Sequence, residues 1–176
     1  VHLLAGPALK ALERKSAIYQ KIAARGNAAT VGIYCQTTEY FRYYGTGALI
    51  SADGYILTST TVVPQGAVKI RIHLTNHRVL DATIVEINEK LESTLLKADG
   101  RALPFMPVAA KLPVIGENAY TFGNPHNMIR LGAHASFSVG NISGLYPVKS
   151  IDTQSSYAGL AVKIRIHLTN HRVLDA

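Results

Sequence analysis

The sequence predicts an all-β protein carrying one helix at its N-terminal end. Three observations predict it. From Thr30 onward apolar and polar residues alternate in short runs, the period of half-buried strands. Turn chemistry such as Asp53-Gly54 and Thr75-Asn76-His77 separates those runs. Residues 7–25 alone show an apolar stripe of helical period. With 48% apolar residues in 176, the chain is long enough to bury a core, and 16% charged residues argue against disorder.

The helix reads as follows. Pro7 suits its first turn, Gly26 suits its stop, and Ala8, Leu9, Leu12, Tyr19, Ile22 and Ala23 share one stripe. Lys10, Arg14, Lys15, Lys21 and Arg25 make the opposite side basic. Such a helix packs on the domain or pairs with a second chain. It lacks the long apolar stretch and small-residue cleavage site of a targeting peptide.

The strands follow in order. Val31, Ile33 and Cys35 alternate with Gly32, Tyr34 and Gln36, which makes Cys35 an inward-facing, inert core residue. Residues 45–50 and 55–58 flank the Asp-Gly turn as a hairpin. Residues 68–74 and 78–87 flank Thr75-Asn76-His77 as another, and 94–97 form a short strand. Beyond Pro104 and Pro107, further strands are expected at 117–122, 135–142 and 149–153. Many short strands at this spacing indicate a sandwich or barrel.

Charge and composition narrow the function. The formal net charge is +7, from 18 Lys+Arg against 11 Asp+Glu, but most of the surplus lies in the N-terminal helix and in a repeated segment. The remainder is close to neutral, so no nucleic-acid partner is expected. No apolar run approaches the roughly 18 residues of a membrane-spanning helix. One cysteine excludes an internal disulfide framework and a multi-cysteine zinc site, and no cofactor is expected.

The repeated segment is 67–82, Ala-Val-Lys-Ile-Arg-Ile-His-Leu-Thr-Asn-His-Arg-Val-Leu-Asp-Ala, which recurs letter for letter at 161–176. Old repeats diverge and this one has not. It reads as a recent duplication, an engineered one or a joining error in the sequence. Functionally, a second hairpin can add to a sheet edge or stand in for missing strands, and it offers a route to strand exchange between copies.

Gly45-Thr46-Gly47-Ala48-Leu49-Ile50-Ser51-Ala52-Asp53-Gly54-Tyr55-Ile56-Leu57-Thr58 resembles the first-barrel core of trypsin-like serine proteases of the HtrA type, which reads G-S-G-F-I-I-S-x-D-G-Y-I-L-T-N-N-H-V-V. The likeness continues through Leu95-Leu96-Lys97-Ala98-Asp99, Leu112-Pro113-Val114-Ile115-Gly116-Glu117, Phe122-Gly123-Asn124-Pro125 and Val139-Gly140-Asn141-Ile142-Ser143. These pieces, in the family's order, span about residues 31–153. The resemblance implies a trypsin-like double β-barrel with a cleft between the barrels, the second barrel incomplete. The expected division is a helical segment at 1–29, a first barrel at 30–105, a partial second barrel at 106–160 and the repeated hairpin at 161–176.

The chemistry departs from the family. Its catalysis needs a histidine base, an aspartate that orients it, and a serine nucleophile, in that chain order. The family's T-N-N-H-V-V stands here as Thr58-Ser59-Thr60-Thr61-Val62-Val63, which puts Thr61 at the base position. A threonine hydroxyl cannot take a proton near neutral pH. The acidic position falls on Glu92, a longer arm with no imidazole to orient. G-N-S-G-G is absent. Matching Ile151-Asp152-Thr153-Gln154 to the family's I-Q-T-D lands the nucleophile position on Val162. Ser155 and Ser156 lie nearby, and nothing in the sequence pairs them with a histidine.

The expected function is therefore a catalytically inactive protease domain that binds protein or peptide. The alternatives are a fragment of an active serine endopeptidase lacking its nucleophile segment, and a metal-binding scaffold built on surface histidines. For the latter, His73 and His77, repeated as His167 and His171, flank a turn and are read first as solvent-exposed. His126 and His134 carry the same reading, with His126 near the cleft rim. Tyr40, Phe41, Tyr43 and Tyr44 read mainly as packing or loop cover, and otherwise as a peptide-contacting lip. By resemblance alone, the domain works outside the cytoplasm and self-assembles.

Overall fold

Antiparallel strands with inward-facing aliphatic residues at alternate positions close on themselves when each edge finds a partner. Here β1 (Thr30–Thr37), β2 (Arg42–Leu49), β3 (Tyr55–Ser59), β4 (Ala67–Leu74), β5 (Val79–Asn88) and β6 (Ser93–Ala98) form a closed barrel in the order β1-β2-β3-β6-β5-β4. Closure removes every free edge from this half of the molecule. The computed structural model describes residues 6–148, 159–167 and 173–175.

The alternation read from the sequence is the core. Val31, Ile33, Cys35, Leu49, Ile56, Val63, Ile72 and Leu96 are fully buried in one cluster. Each such aliphatic side chain contributes about 1.5–3 kcal/mol through removal from water. Tyr43 packs against this cluster, while Tyr40, Phe41 and Tyr44 stand 79%, 59% and 43% exposed. Of the aromatic run, Tyr43 packs on the core and the other three lie at the surface.

The helix α1 runs Pro7–Ala29 and does not stop at Gly26. It ends at Thr30, where the backbone turns extended into β1. The glycine is there because a Cβ would occupy the place of the Phe122 ring. The apolar stripe also fails to pack along its whole length. Leu9 and Leu12 are exposed, and Tyr19 of the stripe meets Tyr120 edge-on at 6.2 Å.

A second sheet has the order β10-β9-β8-β7, from β7 (Asn118–Gly123), β8 (Ser136–Val148), β9 (Gly159–His167) and β10 (Val173–Asp175). Between β7 and β8 lies a short 3₁₀ segment, Pro125–Leu131, that the strand pattern did not predict, with His126 and Asn127 in left-handed conformation. The strand expected at 149–153 lies outside the described residues, as do Ser155 and Ser156. The second copy of the repeat adds to β8, Ile142 opposite Ile164 and Leu145 opposite Val162.

Candidate functional site

The barrel brings Thr61 and Glu92 to one end. β3 and β6 pair through Ser59 and Ser93, so the loops that carry Thr61 and Glu92 leave the sheet side by side. The Thr60 N–H donates to the Glu92 carbonyl at 3.1 Å, and Glu92 adopts a positive φ of 48° to present it. Thr94, fully buried, donates its hydroxyl to the Val63 carbonyl at 3.0 Å and holds the same loop from below.

What stands there is a pair of alcohols. The Thr61 hydroxyl lies 2.7 Å from the Ser59 hydroxyl, which also accepts the Thr61 N–H at 3.1 Å. This Ser-x-Thr turn is local and self-satisfied. Val162, onto which the resemblance would carry the family's nucleophile, lies in mid-strand opposite Leu145.

The described histidines lie elsewhere. His73 is half-buried near the end of β4, and burial, aided by the Arg130 and Arg71 guanidinium groups, pushes its imidazole below the ordinary range. His77 sits in the β4–β5 turn at φ 67°, in left-handed conformation. His134 pairs with Asn27 at 3.3 Å. His126 lines an open recess of about 410 Å³ with Tyr44, Gly45, Asn124 and Asn127. Among the described residues, no three His, Cys, Asp or Glu side chains gather as a metal site.

Two asparagines position the halves, a role the sequence reading gave to neither. Asn124, nearly buried, donates its N–H to Thr46 Oγ1 at 2.9 Å and its amide to the Gly45 carbonyl at 3.2 Å. Its Oδ1 accepts the Ile129 N–H at 2.8 Å, which fixes the 3₁₀ segment. Gly32 leaves room for this side chain, since a Cβ there would come within 2.9 Å of Asn124 Nδ2. Asn27, near the end of α1, accepts the Ala135 N–H at 2.8 Å, and its carbonyl accepts the Thr75 hydroxyl at 3.3 Å. A signal existed for each: an asparagine inside a helix pays a propensity penalty, and Asn-Pro marks a turn.

Between the halves runs an apolar groove of about 470 Å³. Ile22 and Ala29 of α1, Leu57 and Met106 of the barrel side, and Tyr120 and Phe122 of β7 line it. Phe137 supports the β7 wall, its ring stacked on Tyr120 at 6.1 Å and tilted against Phe122 at 5.3 Å. β7 is an end strand of its sheet, so its outer backbone edge faces out of the four-stranded ladder.

The comparisons agree with this architecture. Serine endoprotease DegS of Escherichia coli (strain K12) is 27% identical over 153 residues, covering 82% of this chain and 43% of that protein. A probable periplasmic serine endoprotease, DegP-like, of Chlamydia trachomatis serovar D is 34% identical over 100 residues, 56% of this chain and 19% of that protein. The chain thus spans less than half the length of these relatives. The solved structure of the HtrA-type protease AlgW with tripeptide superposes with a TM-score of 0.66 at 24% identity, over 84% of this chain and 45% of that one. Residues 45–173 match the trypsin-like peptidase domain. The chain belongs to the trypsin-like peptidase domain family.

Proposed function

We propose that this HtrA-type domain is catalytically inactive and holds an extended peptide in the groove between its barrel and its second sheet. The observation that carries the reading is the Thr61–Ser59 hydroxyl pair at the base position, 2.7 Å apart. Proton transfer from a nucleophile needs a group of near-neutral pKa, and an alcohol is not one. Val162 in mid-strand β9 supports the same conclusion for the nucleophile.

Peptide binding needs none of that chemistry. An extended chain can pair with a free strand edge through backbone hydrogen bonds and seat alternate side chains in pockets. The end strand β7 and the apolar groove beside it offer both features. AlgW, a fold relative, was solved with a tripeptide. We assign the domain to the same extracytoplasmic setting that the names of its periplasmic relatives state, and divide it at 1–29, 30–105, 106–160 and 161–176.

Two measurements test the reading. Incubation with unfolded casein and a fluorophosphonate probe is expected to give neither cleavage nor labelling; a label at one serine, abolished by its mutation, overturns the inactive assignment. A fluorescent peptide with alternating apolar residues is expected to bind, and Leu57→Asp, which places a charge in the groove wall, to weaken it at least tenfold. Equal affinity for both proteins disposes of the groove.

A further inference from the structure

The two copies of the repeat form one hairpin in one register at two places. In the barrel, His73 pairs with Val79, Ile72 with Leu80 and Arg71 with Asp81. In the second sheet, His167 pairs with Val173, Ile166 with Leu174 and Arg165 with Asp175. The paired residues of the two copies therefore lie in a barrel slot against β1 and in an edge slot against β8. Every β4 residue that pairs with β1 lies within the repeat, from Ala67 opposite Thr37 to Leu74 opposite Val31. So do the β5 residues that pair with β4, while Thr83 to Asn88, outside the repeat, are held on β6.

We propose that segment 161–176 of one molecule exchanges into the barrel slot of a second copy of this chain, displacing its 67–82 and making a strand-exchanged dimer. The barrel cannot discriminate between two hairpins of identical sequence: each apolar contact and each ladder bond made by one is available to the other. Two chains hold four such hairpins and four slots. Exchange therefore remakes the pairs it breaks, and concentration decides the outcome. Thr83 to Asn88 stay on β6 throughout, so the barrel loses one hairpin and no further strand. The inference does not depend on peptide binding.

A disulfide reads the exchange directly. Cys35, the chain's one cysteine, lies directly opposite Ile70 across the β1–β4 ladder. Directly opposed residues in antiparallel strands are about 4.5–5.5 Å apart at Cα, within disulfide reach. Ile164 is the counterpart of Ile70 in the second copy. The full chain carrying Ile164→Cys, concentrated and mildly oxidised, is expected to run as a dimer that reductant dissolves and that Cys35→Ser abolishes. A dimer that survives Cys35→Ser joins the two introduced thiols to each other and overturns the proposal. So does a monomer with a closed disulfide, which places the hairpin in its own barrel, and so do monomers with free thiols.

Should Ile164→Cys fail to fold, sedimentation of the unmodified chain decides. A monomer–dimer equilibrium abolished by Ile166→Pro, which breaks the second hairpin alone, supports exchange. A monomer at all concentrations, or a dimer indifferent to Ile166→Pro, overturns it.

Discussion

The main-chain N–H of Asn124 donates to the Thr46 hydroxyl at 2.9 Å, and through this bond the second sheet hangs on the front strand of the barrel. The same residue spends its side chain on the Gly45 carbonyl and the Ile129 N–H. Asn124→Ala removes these bonds and the one its amide donates to Asn127 Oδ1, and strands a buried donor, so a loss of about 2–3 kcal/mol is expected. Thr46→Val, which deletes the acceptor alone, should lose about 1 kcal/mol. Urea denaturation of the three proteins checks the order; a wild-type midpoint for Asn124→Ala would show the staple to be idle.

Gly26 sets two effects against each other. In an exposed helix interior Gly→Ala gains about 1 kcal/mol of propensity. Here the new methyl group would enter the space of the Phe122 ring. Overpacking of this kind costs about 1–3 kcal/mol, so the expected net change is a loss. Thermal unfolding reads the sign, and a stabilised Gly26→Ala protein would mean that helix and sheet do not meet at this point.

These two positions mark where sequence reading stopped. The barrel strands were legible because period-two alternation and turn residues are local signals, and Val31, Ile33, Cys35 and Leu96 obey them. The trypsin-like family was legible because a motif order survives in the chain. Gly26 was misread as a stop, since its reason is a ring 96 residues away in the chain and no local pattern records it. Asn124 and Asn27 bond partners 78 and 108 residues distant, which periodicity cannot reach. The 3₁₀ segment was missed for a related cause. Its turns rest on left-handed His126 and Asn127, held by a buried asparagine side chain and not by glycine.

Thr94 supports the Ser59–Thr61 loop from inside. Its hydroxyl is fully buried and donates to the Val63 carbonyl, two residues beyond Thr61. Thr94→Val keeps the volume and leaves that carbonyl without this donor, so a loss of about 1–3 kcal/mol is expected. Thr94→Ser keeps the hydroxyl and loses a methyl group, about 1 kcal/mol. Denaturation midpoints in the order wild type, Ser, Val confirm the bond. The reverse order for the two variants would assign Thr94 to packing alone.

His73 makes stability depend on pH, and the sign follows from its surroundings. Burial, with Arg130 and Arg71 nearby, holds the imidazole below its ordinary pKa of 6.5. The unfolded chain therefore takes up a proton at a pH where the folded chain does not. Stability is full above about pH 6.5 and is lost as pH falls through that value toward the lower folded one. His73→Gln, which cannot be protonated, should flatten part of this acid-side decline between about pH 8 and pH 5. Arg130→Gln removes one repelling charge and should shrink the decline without abolishing it, because burial remains the larger cause. Urea denaturation across that range, beside an NMR titration of the His73 ring, measures both. A decline of equal slope in the wild type and His73→Gln would move the pH dependence to another group and leave this histidine silent.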